Sequence, residues 1–400
     1  MKDYKYLISV IIPTRNRQTY AAAAVRHICK IDDRIQIIVQ DNSDDMTLKD
    51  MIDDIEVRDN VIYNYVEKRI AGIDNYNMAA MNAQGKYFIA LGDDDTLLPN
   101  VIRCAEWMEA NNFDAVKPLR EIQYWWPDSN SCEQRKRVGF IKLGECSDKI
   151  NICDTEEGIK KLLSAGGQGY SKLPVIGSYH CLIKTERMRQ VFEITGRYYG
   201  GLSPDMYSVA CLSLLPNMRA VEIGYPISIP GVCPSSTSAM SAKKEHVGKL
   251  ETAPHFIGLT EKYEWDSRVP QYYSVETIWA DTLLHAVSRM NRRDLVDNYF
   301  DEKMLIKHLL NNNRENIDEI MQYTNVSEQD KKDLFKTKKN NLIIMGRKII
   351  GRINYIINNK KKVIFKKELY VEGCANIEIA VEYVMKFIND RDKVIFAQKR

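Results

Sequence analysis

The stretch YFIALGDDDTLLPN, residues 87–100, sets an apolar run directly against three consecutive aspartates, Asp93, Asp94 and Asp95. A short apolar run bounded by turn residues reads as a buried strand. Carboxylates this close repel one another and raise each other's pKa unless a cation lies among them. A solvated loop, with one aspartate capping the next helix, accounts for one of the three and poorly for the others. A hard divalent cation, Mg²⁺ or Mn²⁺, held by one or two carboxylates and completed by a diphosphate, fits the whole stretch.

Working outward, YLISVIIPTR and IQIIVQDNSDD are further apolar runs that end in polar residues. VIYNYVE is strand-like. Between them NRQTYAAAAVRHICK, LKDMIDDI and NYNMAAMNAQG carry helical rhythm, the last expected to close on Gly85 as a C-cap. PNVIRCAEWMEANN predicts another helix. Strand and helix alternate over roughly the first 110 residues. That pattern predicts an α/β fold, a mostly parallel sheet covered on both faces. Ligands of such sheets gather at the carboxyl ends of the strands. Those ends are Pro13-Thr14-Arg15, Asp41-Asn42-Ser43 and Asp93-Asp94-Asp95, which predicts one polar rim. Neither GxGxxG nor GxxxxGK[ST] occurs, which disfavours a Rossmann dinucleotide site and a P-loop.

Beyond residue 115 the pattern is mixed. AVKPLREIQYWW predicts a strand feeding an aromatic patch, Tyr124, Trp125 and Trp126, suited either to stacking on a sugar or to a core. A glycine-rich turn follows in SAGGQGY. His180 lies in a strand-like segment and reads first as a structural histidine. GGLSPDMYSV breaks at Pro204 and places Asp205 in the first turn of a helix. CPSSTSAMSAKKEH, residues 233–246, suits a mobile loop that either closes as a lid or only links. From about 250 to 325 the chain reads as mainly helical.

Four hundred residues imply two or three packed units, and 44% apolar with 28% charged residues is the balance of a soluble globular protein. No run approaches the roughly 18 apolar residues of a spanning helix, and the opening MKDYKYLISVIIP is not expected to be a signal peptide. Nine scattered cysteines without CxxC spacing read as reduced cytosolic thiols. Charge is uneven: Lys331 to Tyr370 holds 13 Lys and Arg against Asp333 and Glu368, leaving the rest net acidic. Within it Leu342, Met345, Ile349, Ile353 and Ile356 form a helical stripe, with Arg347, Lys348 and Arg352 off it. A basic amphipathic helix of this kind lies on an anionic leaflet or docks on the protein's own surface.

Two other chemistries fail on the residues. A haloacid-dehalogenase type loop needs Thr or Val where Leu97 stands. A two-metal nuclease wants further carboxylates and a basic groove, which the acidic body does not offer, so no nucleic-acid partner is expected.

SVIIPTRNR, IIVQDNSDD and RIAGIDNYNMAAMNAQGKYFIALGDDDTLLP, in that order, resemble the N-terminal half of family 2 glycosyltransferases with the GT-A fold. The resemblance covers about residues 7–110 well and extends loosely to about 235. It implies a three-layer α/β/α domain followed by a mainly helical C-terminal extension. The expected division is 1–235 (1–110 nucleotide-binding half, 111–235 acceptor half), 236–330 as a helical extension with the lid loop, and 331–400 as a basic amphipathic tail. By the same resemblance Pro13, Thr14, Arg15, Asp41, Arg69, Asn77, Asp93 and Asp94 would surround a nucleotide-sugar, with Asp95 the leading metal ligand and Asp93 beside it. Gly92 stands where many relatives carry an acid, which leaves the division of roles among the aspartates open. Asp205 would be the catalytic base.

The implied activity is inverting, metal-dependent transfer of a sugar, UDP-linked, to a glycan or lipid-linked glycan acceptor in surface polysaccharide synthesis. The expected place is the cytoplasm, with residues 340–367 touching the cytoplasmic face of the inner membrane. The other reading is a non-catalytic, membrane-peripheral protein that binds nucleotide-sugar or glycan on the same fold.

Overall fold

Strand β1 (Tyr6–Thr14) is buried almost throughout, and its side chains divide by the two-residue period of a strand. Ile8, Val10 and Ile12 enter one hydrophobic core, and Ile11 enters the other. In the computed structural model, which describes residues 4–56, 58–119, 121–129, 139–236, 247–259, 262–324, 369–388 and 396, β1 is central to an eight-stranded sheet. It pairs in parallel with β2 (Ile35–Asp41) and β4 (Gly85–Ala90), and β2 pairs with β3 (Val61–Tyr65). Outside the main sheet β5 (Thr96–Leu97) follows the aspartates. The main sheet continues past β4 with strands from the second half of the domain. They are β6 (Ala115–Lys117), β9 (Ile150–Ile152), β10 (Leu182–Lys184) and β11 (Ala220–Ile223), in the order β3-β2-β1-β4-β10-β6-β11-β9. β10 runs antiparallel to both of its neighbours, and β9 antiparallel to β11.

Helices cover both faces, as continuous burial of the strands requires. On one side lie α1 (Gln18–Ile28), α2 (Thr47–Glu56) and α4 (Val101–Ala110). The alanines of α1 are short enough to set it close to the sheet, and Ala21, Ala22 and Ala24 are buried. On the other side lie α3 (Gly72–Met81), α5 (Thr155–Ser164), α6 (Thr185–Thr195) and α7 (Pro204–Ser213). The helical part adds α8 (Val275–Arg289), α9 (Arg293–Tyr299), α10 (Glu302–Asn312) and α11 (Ile317–Met321). α8 packs on α7 and shares its core. The three-layer α/β architecture and the helical C-terminal part are thus those expected.

Two details differ from expectation. α3 ends at Met81, so Gly85 is not its cap; it opens β4. A Cβ at Gly85 would lie 2.4 Å from the Ser9 nitrogen, so the close approach of β1 excludes a side chain there. A second, four-stranded sheet joins β7 (Ile122–Trp125), β8 (Phe140–Leu143), β13 (Gly231–Val232) and β16 (Leu369–Glu372), while β12 (Ser228–Ile229) pairs with β5 and β14 (Val247–Lys249) with β15 (Tyr272–Ser274). β16 pairs antiparallel with β8, and α12 (Ile377–Ile388) buries Ile377, Ala380, Val381 and Val384 in the first core. Part of the segment expected to be a tail is therefore built into the body. The basic stretch 340–367 and the Ser-rich residues 237–246 lie outside the described residues. Eight cysteines among the described residues are free and buried, as small hydrophobes are. No helix among the described residues is long and apolar enough to cross a membrane.

Candidate functional site

The parallel register aligns Thr14 with Asp41, and β4 delivers the aspartates one turn beyond Ala90. The loop 92–95 is held from several sides. Thr14 Oγ1 donates to Asp93 Oδ2 at 2.8 Å, and Arg17 Nη1 donates to Asp93 Oδ1 at 2.8 Å. Cys233 N–H donates to Asp94 Oδ2 at 3.0 Å, and the Trp126 indole donates to the Asp94 carbonyl at 3.0 Å. The glycine at 231 is required: a Cβ there would lie 1.8 Å from that same carbonyl.

The three carboxylates, all nearly excluded from solvent, are not equivalent. Asp95 accepts from Gly92 N–H at 2.6 Å and Tyr179 O–H at 2.5 Å on one oxygen, and from Gly231 N–H at 2.7 Å on the other. His180 Nε2 lies 3.2 Å away. Burial works to raise Asp95, but His180, Tyr179 and the Gly231 N–H outweigh it and hold the carboxyl below the usual range. Burial raises Asp93 despite the opposing Arg17 guanidinium. Asp94 is pushed up to about 7, by burial first and then by Asp95 and Asp93. It is the carboxylate whose charge the protein compensates least.

Asp93 and Asp94 line a cleft of about 1290 Å³, together with Pro13, Thr14, Arg15 and Arg17. Asp205 lines the same cleft from the second half of the domain. It sits in the first turn of α7, whose Ser203 cap accepts from Met206 N–H at 3.3 Å. Thr282 on α8 pins this loop by accepting from Leu202 N–H and Ser203 N–H at 3.1 and 3.2 Å. Tyr76 and Tyr179 add two aromatic rings to the cleft wall. Burial raises both phenols, and both also feel Asp205 and Asp95.

Other expected site residues are placed differently. Asp41 is fully buried below the rim, accepting from Ser43 N–H and Tyr63 O–H, each at 2.8 Å. Arg15 lines the cleft while its guanidinium donates to the Asn42 carbonyl and to Asp44. Arg69 is exposed and lies near Asp44 rather than on the cleft wall. Asn77 ties α3 to the following half: its amide donates to the Tyr199 carbonyl at 2.7 Å and accepts from Tyr198 and Tyr199 N–H groups at 3.0 Å. Asn77 therefore acts as a structural clamp. Asp95, expected as the leading metal ligand, has both oxygens hydrogen-bonded within its surroundings and is not among the residues that line the cleft, whereas Asp93 and Asp94 are. Tyr124 and Trp126 are core residues, and Trp125 stacks on Phe140 at 4.0 Å.

Arg17 was missed in the sequence, although it stands two residues beyond Arg15 in the same PTRNR segment. Its guanidinium also donates to the Ser235 carbonyl and so joins the aspartate loop to the strand end that follows β13. Only the tertiary pairing with Asp93 distinguishes it from a surface arginine.

Among the described residues no group of three or more His, Cys, Asp or Glu is arranged to hold a metal by itself. Asp94, with Oδ2 bonded to Cys233 N–H and Oδ1 on the Gly92 side, suits a cation that takes one or two carboxylates and completes its shell from a bound phosphate.

Residues 9–154 match the family model described as Glycosyl transferase family 2. No curated protein matches the chain. Similar solved structures include S. aureus TarS 1–349 in complex with UDP-GlcNAc, at 14% identity over 77% of this chain and 73% of that one, with a TM-score of 0.46. A longer S. aureus TarS is 15% identical over 79% of this chain and 55% of its own, at 0.43. TarS 1–349 with UDP is 14% identical over 78% and 83%, at 0.38. Likeness of that degree transfers neither substrate nor partner. Residues 9–154 carry a glycosyl transferase family 2 domain.

Proposed function

We propose that the cleft transfers a sugar, with inversion, from a UDP-sugar to a hydroxyl of a glycan or lipid-linked glycan in surface polysaccharide synthesis. The observation that carries the reading is the pair Asp94 and Asp205 on one cleft, the first a buried, under-compensated carboxylate at the sheet's carboxyl edge. Thr14, Arg15, Arg17 and Asp93 would border the diphosphate side, with Asp94 and Asp93 facing a Mn²⁺ or Mg²⁺ ion. Bound there, such an ion would supply Lewis-acid stabilisation of the charge that builds on the leaving diphosphate. Arg17 opposes the rise that burial imposes on Asp93 and holds it in place through two anchors, and Asp95 keeps the loop rigid through its three backbone and phenol bonds.

Asp205 accepts the proton of the acceptor hydroxyl as that oxygen bonds to the anomeric carbon and the bond to the β-phosphate oxygen breaks. Tyr76 and Tyr179, both partly buried, line the same cleft as Asp205 and the aspartates and would narrow the water-filled space around the reacting groups. The reading is tested by a thermal-shift screen of nucleotide-sugars with Mn²⁺, followed by a nucleoside-diphosphate release assay. A UDP-sugar is expected to raise Tm and to release UDP; a chain that none of the donors stabilises, and that releases no UDP, does not carry this activity.

A further inference from the structure

The cleft is larger than a donor needs. Ligand pockets usually measure about 300–1,000 Å³, against about 1290 Å³ here. Part of the cleft's wall is built by the helical part of the chain, from α8 and α10. Trp279 on α8 and Tyr170 both line it, both partly exposed, with ring centroids 5.2 Å apart and planes at 74°. The glycine-rich segment SAGGQGY, which the rim does not use, explains how Tyr170 gets there. A Cβ at Gly166 (φ +64°) would lie 2.3 Å from the Leu305 nitrogen, and one at Gly167 (φ +80°) 3.0 Å from the Ala280 Cα. Only glycines let this loop settle between α8 and α10, and Gln168 Nε2 fastens it to the Glu276 carbonyl at 3.0 Å.

Next to the aromatic pair stand amides. His308 and Asn311, one turn apart on α10, line the cleft with Asn312 and Asn313. Buried Glu276 accepts from Asn312 Nδ2 at 2.7 Å and Asn313 Nδ2 at 3.3 Å, which fixes those side chains and turns the Asn312 carbonyl oxygen to other partners. An aromatic plane beside oriented amides matches one chemical class closely: a sugar ring, with an apolar C–H face and hydroxyls around its edge. The place is close to the reaction. Trp279 precedes Thr282 by three residues on α8, about 4.5 Å along the axis, and Thr282 pins the loop that carries Asp205.

Resting on the reading of this cleft as a glycosyl-transfer site, we infer that Tyr170, Trp279, His308 and Asn311–Asn313 form a subsite for a further ring of the acceptor. The acceptor is then a chain of at least two sugars, not a free monosaccharide or a bare lipid hydroxyl.

The test is calorimetric titration of the full chain with glucose-, galactose-, mannose- and N-acetylglucosamine-based oligosaccharides of one to four units, with and without UDP and Mn²⁺. At least one series is expected to bind tenfold or more tightly as a disaccharide or longer than as its monosaccharide. Trp279→Ala should remove that gain, Trp279→Phe should keep most of it, and Asn311→Ala, at an exposed helix end, should reduce it threefold or more. UDP affinity of the Trp279→Ala protein, within twofold of wild type, serves as the folding control. No gain with length in any series, or a gain that survives both Trp279→Ala and Asn311→Ala, overturns the subsite. Absence of UDP binding with a length gain intact overturns the donor reading instead and leaves the saccharide subsite standing.

Discussion

The rim at Thr14, Asp93 and Asp94, with Asp41 buried just below it, belongs to the ends of three adjacent parallel strands, each ending where the sheet ends. The facing wall takes Tyr170, Asp205, Trp279 and Asn312 from four segments spread over some 140 residues, joined by helix packing and glycine-mediated contacts. The first arrangement is rigid because register fixes it, and continuous apolar strands leave little freedom. The second depends on a few individual contacts, chiefly Thr282 to the 202–203 loop and Glu276 to the asparagines. The rim would thus hold a constant diphosphate, whereas the wall can change with the acceptor at small cost to the fold.

The contrast can be broken most sharply at its catalytic end. Asp205→Asn removes the proposed proton acceptor and is expected to lower transfer on the order of 10²–10⁴-fold, while UDP affinity, proposed to belong to the other half, should stay within twofold. Equal losses in both would show that the two halves do not work separately. Asp94→Asn should lower turnover about 10²–10³-fold and should also weaken metal-dependent UDP binding, with Tm little changed. Kinetics and titration on the same preparations decide both.

Smaller effects sharpen the same contrast. Thr282→Val leaves the Leu202 and Ser203 N–H groups without their acceptor and is expected to destabilise the chain by about 1–3 kcal/mol, read from denaturant unfolding. It should lower kcat without raising the donor KM, because only the Asp205 loop loses its anchor. The smallest effect belongs to Asp114, which fixes the antiparallel insertion β10 through Arg187, Lys184 and the Arg219 N–H. Burial works to raise its carboxyl, but those partners prevail and hold it below the ordinary 3.8. A depressed carboxylate stabilises the fold above its unfolded pKa and loses that contribution as pH falls through the folded value. The Tm gap between wild type and Asp114→Asn should therefore narrow as pH falls from about 7 toward 3; a constant gap would remove Asp114 from the account.

Much of the rim was legible because its determinants are local. Apolar runs that end in polar triplets announce both the strand and its edge, so Thr14, Asp93 and Asp94 were found from the chain alone. Which aspartate faces the cleft was not legible, since Asp95 is turned away by partners at Tyr179, His180 and Gly231, far along the sequence. Asn77 carries an ordinary polar side chain, and only Tyr198 and Tyr199, more than a hundred residues on, make it a clamp. The antiparallel β10 and the return of β16 and α12 into the first core depend likewise on pairings that no local pattern encodes. Asp205 was visible through Ser203-Pro204, a helix start written in sequence, whereas the Tyr170–Trp279 pair was not, because each aromatic alone reads as core.

The central claim is that Asp94 is the carboxylate through which a divalent cation and a nucleoside diphosphate meet this fold. Calorimetric titration of UDP into wild type and Asp94→Asn, each with and without Mn²⁺, tests it most directly. The account predicts at least tenfold tighter UDP binding with Mn²⁺ in the wild type, and no such gain in the variant. Equal UDP affinity in the wild type with and without the metal would contradict it.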